Sequence, residues 1–441
     1  MHPLAQAVSR SELIERVGRV VALRGHVVES AGPRVRLGEV CRIAAADGEV
    51  LEAEVLGFRR DATLLMPSGP ADGIAAGARV VASGRRAGVP VGSALLGRVV
   101  DASGRPMDGR GPLPALAQRE LHAASPAPMQ RGRVAAPLQT GLRALDGLLP
   151  LARGQRVGLF AGSGVGKSSL LGALAQGVEA DVAVVALIGE RSREVREFVE
   201  DRLGAEALRR TVVVVATSAE PAVVRLRAAY AATSIAEHFR DQGRHVLLLM
   251  DSLTRFAMAR REIGLAAGEP PTARGYTPSV FADLPPLCER SGPGSCGGSI
   301  SAFYTVLVEG DDLNEPLSDA IRGLLDGHMV LSREIAQAGR HPAIDVLRSV
   351  SRLQGTVSTP ADLAAARRIL ANCALFERNR ALIEVGAYQP GVRAELDRAV
   401  EAAPRIEAFL AQPPNGRVPR EEALAQMRAL AASLETGHVA R

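Results

Sequence analysis

The chain of 441 residues is 47% hydrophobic and carries a formal net charge of +5. This length allows two or three domains with sizeable cores. Because no apolar run approaches twenty residues, the sequence excludes a membrane-spanning helix and predicts a soluble, globular protein. No charged-then-apolar leader opens the chain, which predicts a cytoplasmic location. An aromatic content of 3% without tryptophan argues against a nucleic-acid partner.

The first 90 residues are predicted to form a small β-barrel domain. Ser9 and Glu12 have capping-box spacing, so we expect a short helix from Met1 to about Arg16, either a docking segment for a partner or membrane or a frayed terminus. Phe58 is the only aromatic residue from 17 to 66, so this barrel would lack the stacking platform of an oligonucleotide-binding fold. Five β-rich runs separated by Gly, Pro and Asp support the barrel: Val17–Leu23, His26–Ser30, Val35–Leu37, Val50–Phe58 and Thr63–Met66.

A Gly- and Pro-rich passage leads from the barrel into a segment in which strands and helices alternate. Such alternation predicts an α/β domain at 91–358 with a mostly parallel sheet. From about Thr359 the pattern is helical, which predicts a third domain at 359–441, broken near Pro390 and Pro414. The apolar runs expected to be strands buried on both faces are Arg156–Phe160, Val182–Ile188, Val212–Ala216, Val246–Met250 and Ile300–Val308. The helical patterns lie at Lys167–Gln176, Arg193–Asp201 and Glu220–Phe239.

The turn between the first of these strands and its helix has the pattern of a phosphate-binding loop. Ala161 occupies a position where Gly is usual, and Gly166-Lys167-Ser168 completes the pattern. Glycines let backbone N–H groups surround phosphate oxygens, and the helix N-terminus adds its positive end. We expect Lys167 to reach the β- and γ-phosphates of a nucleoside triphosphate and the Ser168 hydroxyl to coordinate Mg²⁺. The predicted nucleotide-binding residues are Gly162, Ser163, Gly164, Val165, Gly166, Lys167, Ser168 and Ser169.

The use of lysine supports the same interpretation. Of the 53 lysines and arginines in the chain, Lys167 is the only lysine. Most surface positions accept either cation, but the planar fork of arginine does not replace a compact ammonium among phosphates. The one lysine therefore stands where the chemistry requires it.

Two carboxylates follow strands that belong to the same predicted sheet. Ligands bind outside the carboxyl ends of parallel strands, where Asp251 ends an apolar run and Glu190 follows another. Asp251 is predicted to hold Mg²⁺ directly or through water, and Glu190 to polarise the attacking water as general base. Arg191 would orient Glu190 or contact the γ-phosphate. The structural alternatives are a helix cap for Asp251 and a surface ion pair for Glu190.

Several motifs resemble those of the catalytic subunit of F-type rotary ATPases, and within that family the ATPase of type III protein export, flagellar or injectisome. The resemblance runs from about Val17 to beyond Pro404 and is most specific between Gly154 and Arg352. It implies a RecA-like nucleotide domain, a helical C-terminal domain, and an N-terminal barrel that seals a homohexamer. The motifs that carry it are Gly162–Ser168, Gly189–Val195, Asp251–Phe256, Gly268–Pro271, Gly275–Phe281 and Glu309–Asp312.

The same resemblance implies partners and two further site residues. The partners are a stator-like regulator, a central coiled-coil stalk, export chaperone–substrate complexes and the export gate of the inner membrane. Arg352 matches the family's arginine finger, which reaches the γ-phosphate of the neighbouring subunit. His341 stands before Pro342 where the family often has a tyrosine that packs on adenine, and this departure leaves open whether His341 contacts the base and how base affinity depends on pH.

Other functions share this core and stay as alternatives. An RNA-translocating ring of the termination-factor type would need aromatic and basic residues on the barrel. A non-hydrolysing ring subunit would lack the carboxylate at Glu190, and proton-driven ATP synthesis would use the same residues as hydrolysis. Phe256–Ala259 resembles the flagellar proteins and Asp312–Pro316 the injectisome proteins, so the residues leave the export system open.

Overall fold

The computed structural model describes residues 15–434 except residues 60, 70, 309, 311 and 415. Its first part is a closed barrel in which the strands are ordered β1-β2-β5-β4-β3-β6. Side chains that alternate along the strands fill the interior, among them Val20, Val28, Ile43 and Leu65. The predicted barrel is therefore confirmed. Its strands are β1 Val17–Arg24, β2 Val27–Ala31, β3 Glu39–Ala44, β4 Val50–Arg59, β5 Ala62–Pro67 and β6 Arg79–Arg86.

Two details of the barrel differ from the sequence-based expectation. The strand predicted at Val35–Leu37 is wrong, because this stretch is a loop and the strand begins at Glu39. The Glu39 carboxylate accepts the backbone N–H of Arg36 at 3.0 Å, which closes a local turn. The sixth strand, β6, was not identified in the sequence, although it closes the barrel against β1 and β3. The predicted N-terminal helix falls almost wholly on residues 1–14, which lie outside the described residues.

Thirteen further strands follow in the described chain. They are β7 Gly88–Val91, β8 Val99–Asp101, β9 Ala117–Glu120, β10 Pro137–Leu138, β11 Leu151–Ala152, β12 Arg156–Ala161, β13 Val182–Glu190, β14 Thr211–Thr217, β15 His245–Asp251, β16 Gly292–Pro293, β17 Ser299–Leu307, β18 Gly327–Leu331 and β19 Ile344–Ser351. Nine of them form one sheet, ordered β19-β18-β12-β17-β15-β13-β14-β8 with β16 added beside β17. Only β16 and β19 run antiparallel to their neighbours, so the mostly parallel sheet is confirmed.

The helices described after the barrel cover this sheet and then form the C-terminal domain. They are α1 Lys167–Gly177, α2 Ser192–Glu197, α3 Gly204–Leu208, α4 Ala222–Asp241, α5 Leu253–Ala266, α6 Pro278–Glu289, α7 Pro316–Leu324, α8 Arg333–Gln337, α9 Gln354–Val357, α10 Pro360–Glu384, α11 Ala394–Leu410 and α12 Arg420–Ser433. The helix predicted at Arg193–Asp201 is α-helical only at Ser192–Glu197 and continues as a π-helical turn at Phe198–Leu203. None of the helices in the described residues is both long and apolar enough to cross a membrane.

Alternate residues of each central strand enter two different cores. Leu248 of β15 packs with Ala229 and Phe239 of α4. Leu249, the next residue, packs with Leu171 of α1 on the other face. Because both faces are covered, these strands are apolar throughout, which is what made them recognisable in the sequence.

The other two parts of the fold rest on these faces. Val27 and Met66 of the barrel pack against Ile263 of α5. Phe409 and Met427 of the C-terminal helices join the core on the α1 face. The predicted fold class, a barrel followed by an α/β nucleotide domain and a helical domain, is confirmed. The boundaries at 90/91 and 358/359 stay a prediction.

Candidate active site

The glycine-rich turn lies between β12 and α1, at the carboxyl edge of the sheet. Gly164 and Gly166 have φ of +78° and +87°, in the left-handed region that favours glycine. Ser163, Gly164 and Gly166 are exposed, whereas Val165 is buried in the core beneath the loop. The loop is thus held from below and open above, and α1 begins directly after it at Lys167 with Ser168 exposed in its first turn.

Lys167 lies between the two carboxylates that the sequence placed at strand ends. Its Nζ is 2.6 Å from Oδ1 of Asp251 and 3.3 Å from Oε1 of Glu190. These carboxylates end the adjacent strands β15 and β13, in which Leu187 pairs with Asp251. The Lys167 side chain is only 13% exposed. The structure therefore brings three of the predicted site residues together beside the open loop.

Burial sets the electrostatics of this cluster. Desolvation raises the pKa of Asp251 although Lys167 opposes the shift. Desolvation also raises the pKa of Glu190, and the neighbouring Glu194 carboxylate adds to that shift. Burial by itself would lower the pKa of Lys167, but the two carboxylates outweigh it and the pKa is raised. The ammonium stays charged near neutral pH, and Glu190 binds a proton more readily than an exposed glutamate does.

Arg191 and His341 are placed differently from the cluster. The Arg191 side chain is 80% exposed, and its partner is Glu194 at 3.4 Å rather than Glu190. His341 precedes β19 at the carboxyl edge of the sheet, where its carbonyl accepts the N–H of Gln412 at 2.7 Å. Burial lowers the pKa of the His341 imidazole, so the ring is neutral at pH 7.

Arg352 and the phosphate loop of its own chain lie at opposite ends of the parallel strands. The loop follows their carboxyl ends, and Arg352 lies beside their amino ends. β19 runs antiparallel to β18, so Ile344 is level with Leu331 and Ser351 is level with Gly327. Ala161, the last residue before the loop, pairs with Leu331. The eight residues of β19 span about 23 Å at about 3.3 Å per residue. Arg352, which follows Ser351, is therefore far from the loop along the strand axis.

Arg255 is a cation of the site to which the sequence analysis gave no role. It lies in the first turn of α5, and a Cβ added to Gly189 would come within 3.1 Å of its Cδ. Its buried Nε has no hydrogen-bond partner within the described part of the chain. The signal was present, because Arg255 belongs to the quoted motif that begins at Asp251. A motif by itself does not tell which of its residues faces the neighbouring strand.

The oxygen donors at this edge suit a divalent cation that shares its coordination with phosphate. Mg²⁺ prefers one or two carboxylates together with phosphate oxygens and water. Asp251 accepts all its hydrogen bonds through Oδ1, and no described residue donates to Oδ2. The Ser168 hydroxyl is exposed nearby on α1. Within the described ranges, no three or more His, Cys, Asp or Glu side chains are grouped so that they could hold a metal ion.

Fold and site together define a nucleotide-binding ATPase domain of the P-loop class, carried between a six-stranded barrel and a helical domain. The nucleotide-binding domain model of the ATP synthase alpha/beta family matches residues 141–351, and the beta-barrel domain model of that family matches residues 20–84. The model of the T3SS EscN ATPase C-terminal domain matches residues 358–429. The chain belongs to the flagellar and type III secretion ATPases of the ATP synthase alpha/beta family, so the predicted family is confirmed.

Individual relatives cover almost the whole chain and come from both export systems. The flagellum-specific ATP synthase of Bacillus subtilis is 47% identical over 98% of this chain and 99% of its own length. The type 3 secretion system ATPase of Xanthomonas euvesicatoria is 49% identical over 93% and 94%. A solved structure of the assembled ATPase EscN with its central stalk EscO, from the type III secretion system of enteropathogenic E. coli, has a TM-score of 0.86. That structure is 41% identical and covers 94% of this chain and 100% of its own.

Proposed function

We propose that this protein hydrolyses MgATP to energise type III protein export, through the cluster of Lys167, Asp251 and Glu190. The observation that carries the proposal is the position of Lys167, held 2.6 Å from Asp251 and 3.3 Å from Glu190 beside an open glycine loop. Lys167 and the loop amides from Gly162 to Ser169 bind the phosphates. Ser168 and Asp251 hold Mg²⁺, which neutralises charge on the β- and γ-phosphates when bound.

Glu190 acts as the general base in this proposal. Its raised pKa brings it closer to the pH at which a base both is deprotonated and accepts a proton readily. Arg255, whose Nε has no hydrogen-bond partner among the described residues, packs beside Gly189 and is a second cation near this edge. Arg191 contributes indirectly, because its exposed guanidinium pairs with Glu194, the carboxylate that lies beside Glu190.

The working unit is a homohexameric ring in which Arg352 serves the site of the neighbouring subunit. Arg352 lies about one strand length from the phosphate loop of its own chain, which argues against action in cis. In a closed ring, each subunit presents different surfaces to its two neighbours, so Arg352 of one subunit can face the phosphate loop of the next. An arginine finger stabilises charge on the γ-phosphate and is worth about 10³–10⁵ in rate.

The ring works in the cytoplasm, peripherally at the export apparatus of the inner membrane. Its proposed partners are a central stalk, a stator-like regulator, chaperone–substrate complexes and the export gate. The stalk is supported by the EscN–EscO structure of the relative, whose C-terminal domain model matches 358–429 here. Nucleic acid is not among the partners, because Phe58 is the only exposed aromatic side chain of the described barrel wall.

Mixed rings test this proposal. R352A and K167A should each hydrolyse almost no ATP, but rings assembled from both should regain activity. An R352A subunit keeps its phosphate loop, and a K167A neighbour still supplies an arginine. Random equal mixing restores this pairing at roughly a quarter of interfaces. The measurement is single-turnover hydrolysis of bound ATP in rings verified by mass photometry. Absence of a fast phase at every mixing ratio would overturn the trans assignment.

A further inference from the structure

Strand β17 lies between the strand of the phosphate loop and the strand that ends in Asp251. It pairs with β12 on one side and with β15 on the other. Thr305 of β17 is fully buried, and its Oγ1 donates to Oδ1 of Asp251 at 2.6 Å. Alternate residues of a strand face the same side of the sheet. Thr305 lies two residues after Phe303, and Asp251 lies two residues after Leu249, so both lie on the sheet face that α1 covers. A residue of the central strand therefore contacts the carboxylate of the site from within the sheet.

The hydroxyl has a choice of acceptors, and the distances indicate which one it takes. The Met250 carbonyl is 3.3 Å from Oγ1, at the weak end of hydrogen-bond geometry, whereas Oδ1 of Asp251 is at 2.6 Å. A hydroxyl carries one proton, so the shorter, charge-assisted bond takes it. Oδ1 thus accepts from Thr305 and from Lys167, and no described residue donates to Oδ2.

Nucleotide binding leaves these two donors in different positions. Lys167 is on a long side chain and is needed at the β- and γ-phosphates once ATP is bound. Thr305 belongs to a strand that is paired on both sides. Its backbone therefore cannot move away from Asp251 without disrupting the sheet. A carboxylate turns easily about its terminal torsion, so it needs at least one fixed donor to keep one oxygen turned toward the ligand.

We propose that Thr305 is a positioning residue: its hydroxyl holds Oδ1 of Asp251 so that Oδ2 faces the divalent cation after Lys167 has moved to the phosphates. The inference rests on the proposed MgATP site and adds a residue to it. Packing alone would be served equally by valine, which has the same shape and suits a buried strand. Packing therefore does not explain why this position has a hydroxyl.

The test compares T305V, which removes the hydroxyl, with T305S, which keeps it. T233V is the matched control, because Thr233 is equally buried but donates to the Ala229 carbonyl within α4 at 2.8 Å. Mn²⁺ replaces Mg²⁺ and is titrated into the ADP complex of the full-length protein, with free Mn²⁺ followed by electron paramagnetic resonance. ADP affinity is measured separately in EDTA, and folding by thermal unfolding.

T305V is expected to bind Mn²⁺ about 10–100-fold more weakly, the usual effect of losing a residue that orients a metal ligand. T305S and T233V should stay within about threefold of the unchanged protein, and ADP affinity in EDTA should be the same for all. Unchanged Mn²⁺ affinity in T305V would overturn the inference. So would an equal loss of ADP affinity in EDTA, since it would mean a general distortion of the site.

Two further results keep the outcomes separate. If T305V does not fold, T305C takes its place, because a thiol is a weak donor of similar size, and the same two outcomes apply. If the unchanged protein itself binds no Mn²⁺ in its ADP complex, the proposed MgATP site fails rather than the role of Thr305. Reduced Mn²⁺ affinity in T305V with full rescue in T305S supports the positioning role.

Discussion

Two clusters of buried charge lie in this nucleotide domain, and they differ in how completely their bonds are filled. In the first, Lys167 faces Asp251 and Glu190 beside the glycine loop. In the second, Arg290 faces Glu237 between α6 and α4, and both side chains are almost fully buried. Both clusters combine opposite charges with side chains that are at most 15% exposed. By these two criteria alone the clusters would be indistinguishable.

In the Arg290 cluster, both carboxylate oxygens receive donors from the described chain. Arg290 donates to both carboxylate oxygens of Glu237, at 3.0 and 2.7 Å, and also to the Ser234 hydroxyl and the Leu121 carbonyl. Such a bidentate pair fixes the geometry and occupies both oxygens of the Glu237 carboxylate. Around Lys167, by contrast, Oδ2 of Asp251 receives no donor from the described chain, and the adjacent loop is open. Unfilled bonding capacity, rather than buried charge, distinguishes the proposed active site from the Arg290 cluster.

Replacing the lysine of the first cluster with arginine is expected to have the largest effect on activity. We expect K167R to abolish hydrolysis although the charge is kept, because a planar fork does not fit where the ammonium meets the phosphates. The thermal midpoint without nucleotide should move little. Steady-state phosphate release measures the effect. Retention of more than about a tenth of kcat, a loss of only ~1.4 kcal/mol, would contradict this explanation.

Removing the negative charge of Glu190 should separate binding from chemistry within the same cluster. E190Q is expected to lower hydrolysis by about 10²–10⁴, the usual contribution of a positioned general base. MgATP binding should be largely intact, because the phosphate loop and Lys167 remain. Binding of a fluorescent ATP analogue provides the control. A parallel loss of binding would assign Glu190 to structure or metal binding instead.

The reciprocal exchange, R290K, should affect stability and leave the chemistry alone. Lysine cannot donate to both oxygens of Glu237 and still reach the Leu121 carbonyl, so we expect a loss of about 1.5–3 kcal/mol, the range for hydrogen bonds to charged groups. This corresponds to a fall of about 3–12 °C in the thermal midpoint. The kcat of the folded fraction should stay within about twofold. A variant that is stable but inactive would remove the distinction between the clusters.

The smallest expected effect concerns His341, which precedes β19 at the carboxyl edge of the sheet. If its imidazole packs on adenine, H341A should raise the KM for ATP by about 2–10-fold, the scale of one aromatic contact, without changing kcat. Burial lowers the pKa of His341, so the ring is neutral at and above pH 7 and the ratio of the two KM values should be the same at pH 7 and 8.5. H341Y should lower KM. An unchanged KM in both variants would place the base elsewhere.

Much of the site follows from short stretches of chain. The loop from Gly162 to Ser169 is defined by glycine spacing and by the strand and helix that flank it, all within about fifteen residues. Asp251 and Glu190 were found because each ends a continuous apolar run, and parallel strands present their carboxyl ends at one edge. The strands that were missed are short or mixed in polarity. β8 has three residues, and β19 alternates buried and exposed side chains along its length.

What the tertiary structure alone decided is which of these residues meet. The residues near Thr305 in the sequence do not indicate that β17 pairs with β12 and β15. These two strands precede β17 in the chain by about 140 and 50 residues. The same holds for Arg191, which pairs with Glu194 rather than with Glu190, and for Arg352, which lies about one strand length from the phosphate loop. Dihedral preferences and apolar periodicity act between neighbours in the chain, so they specify strands, turns and helices. The lateral order of the strands depends on contacts between distant segments, and the site is assembled by that order.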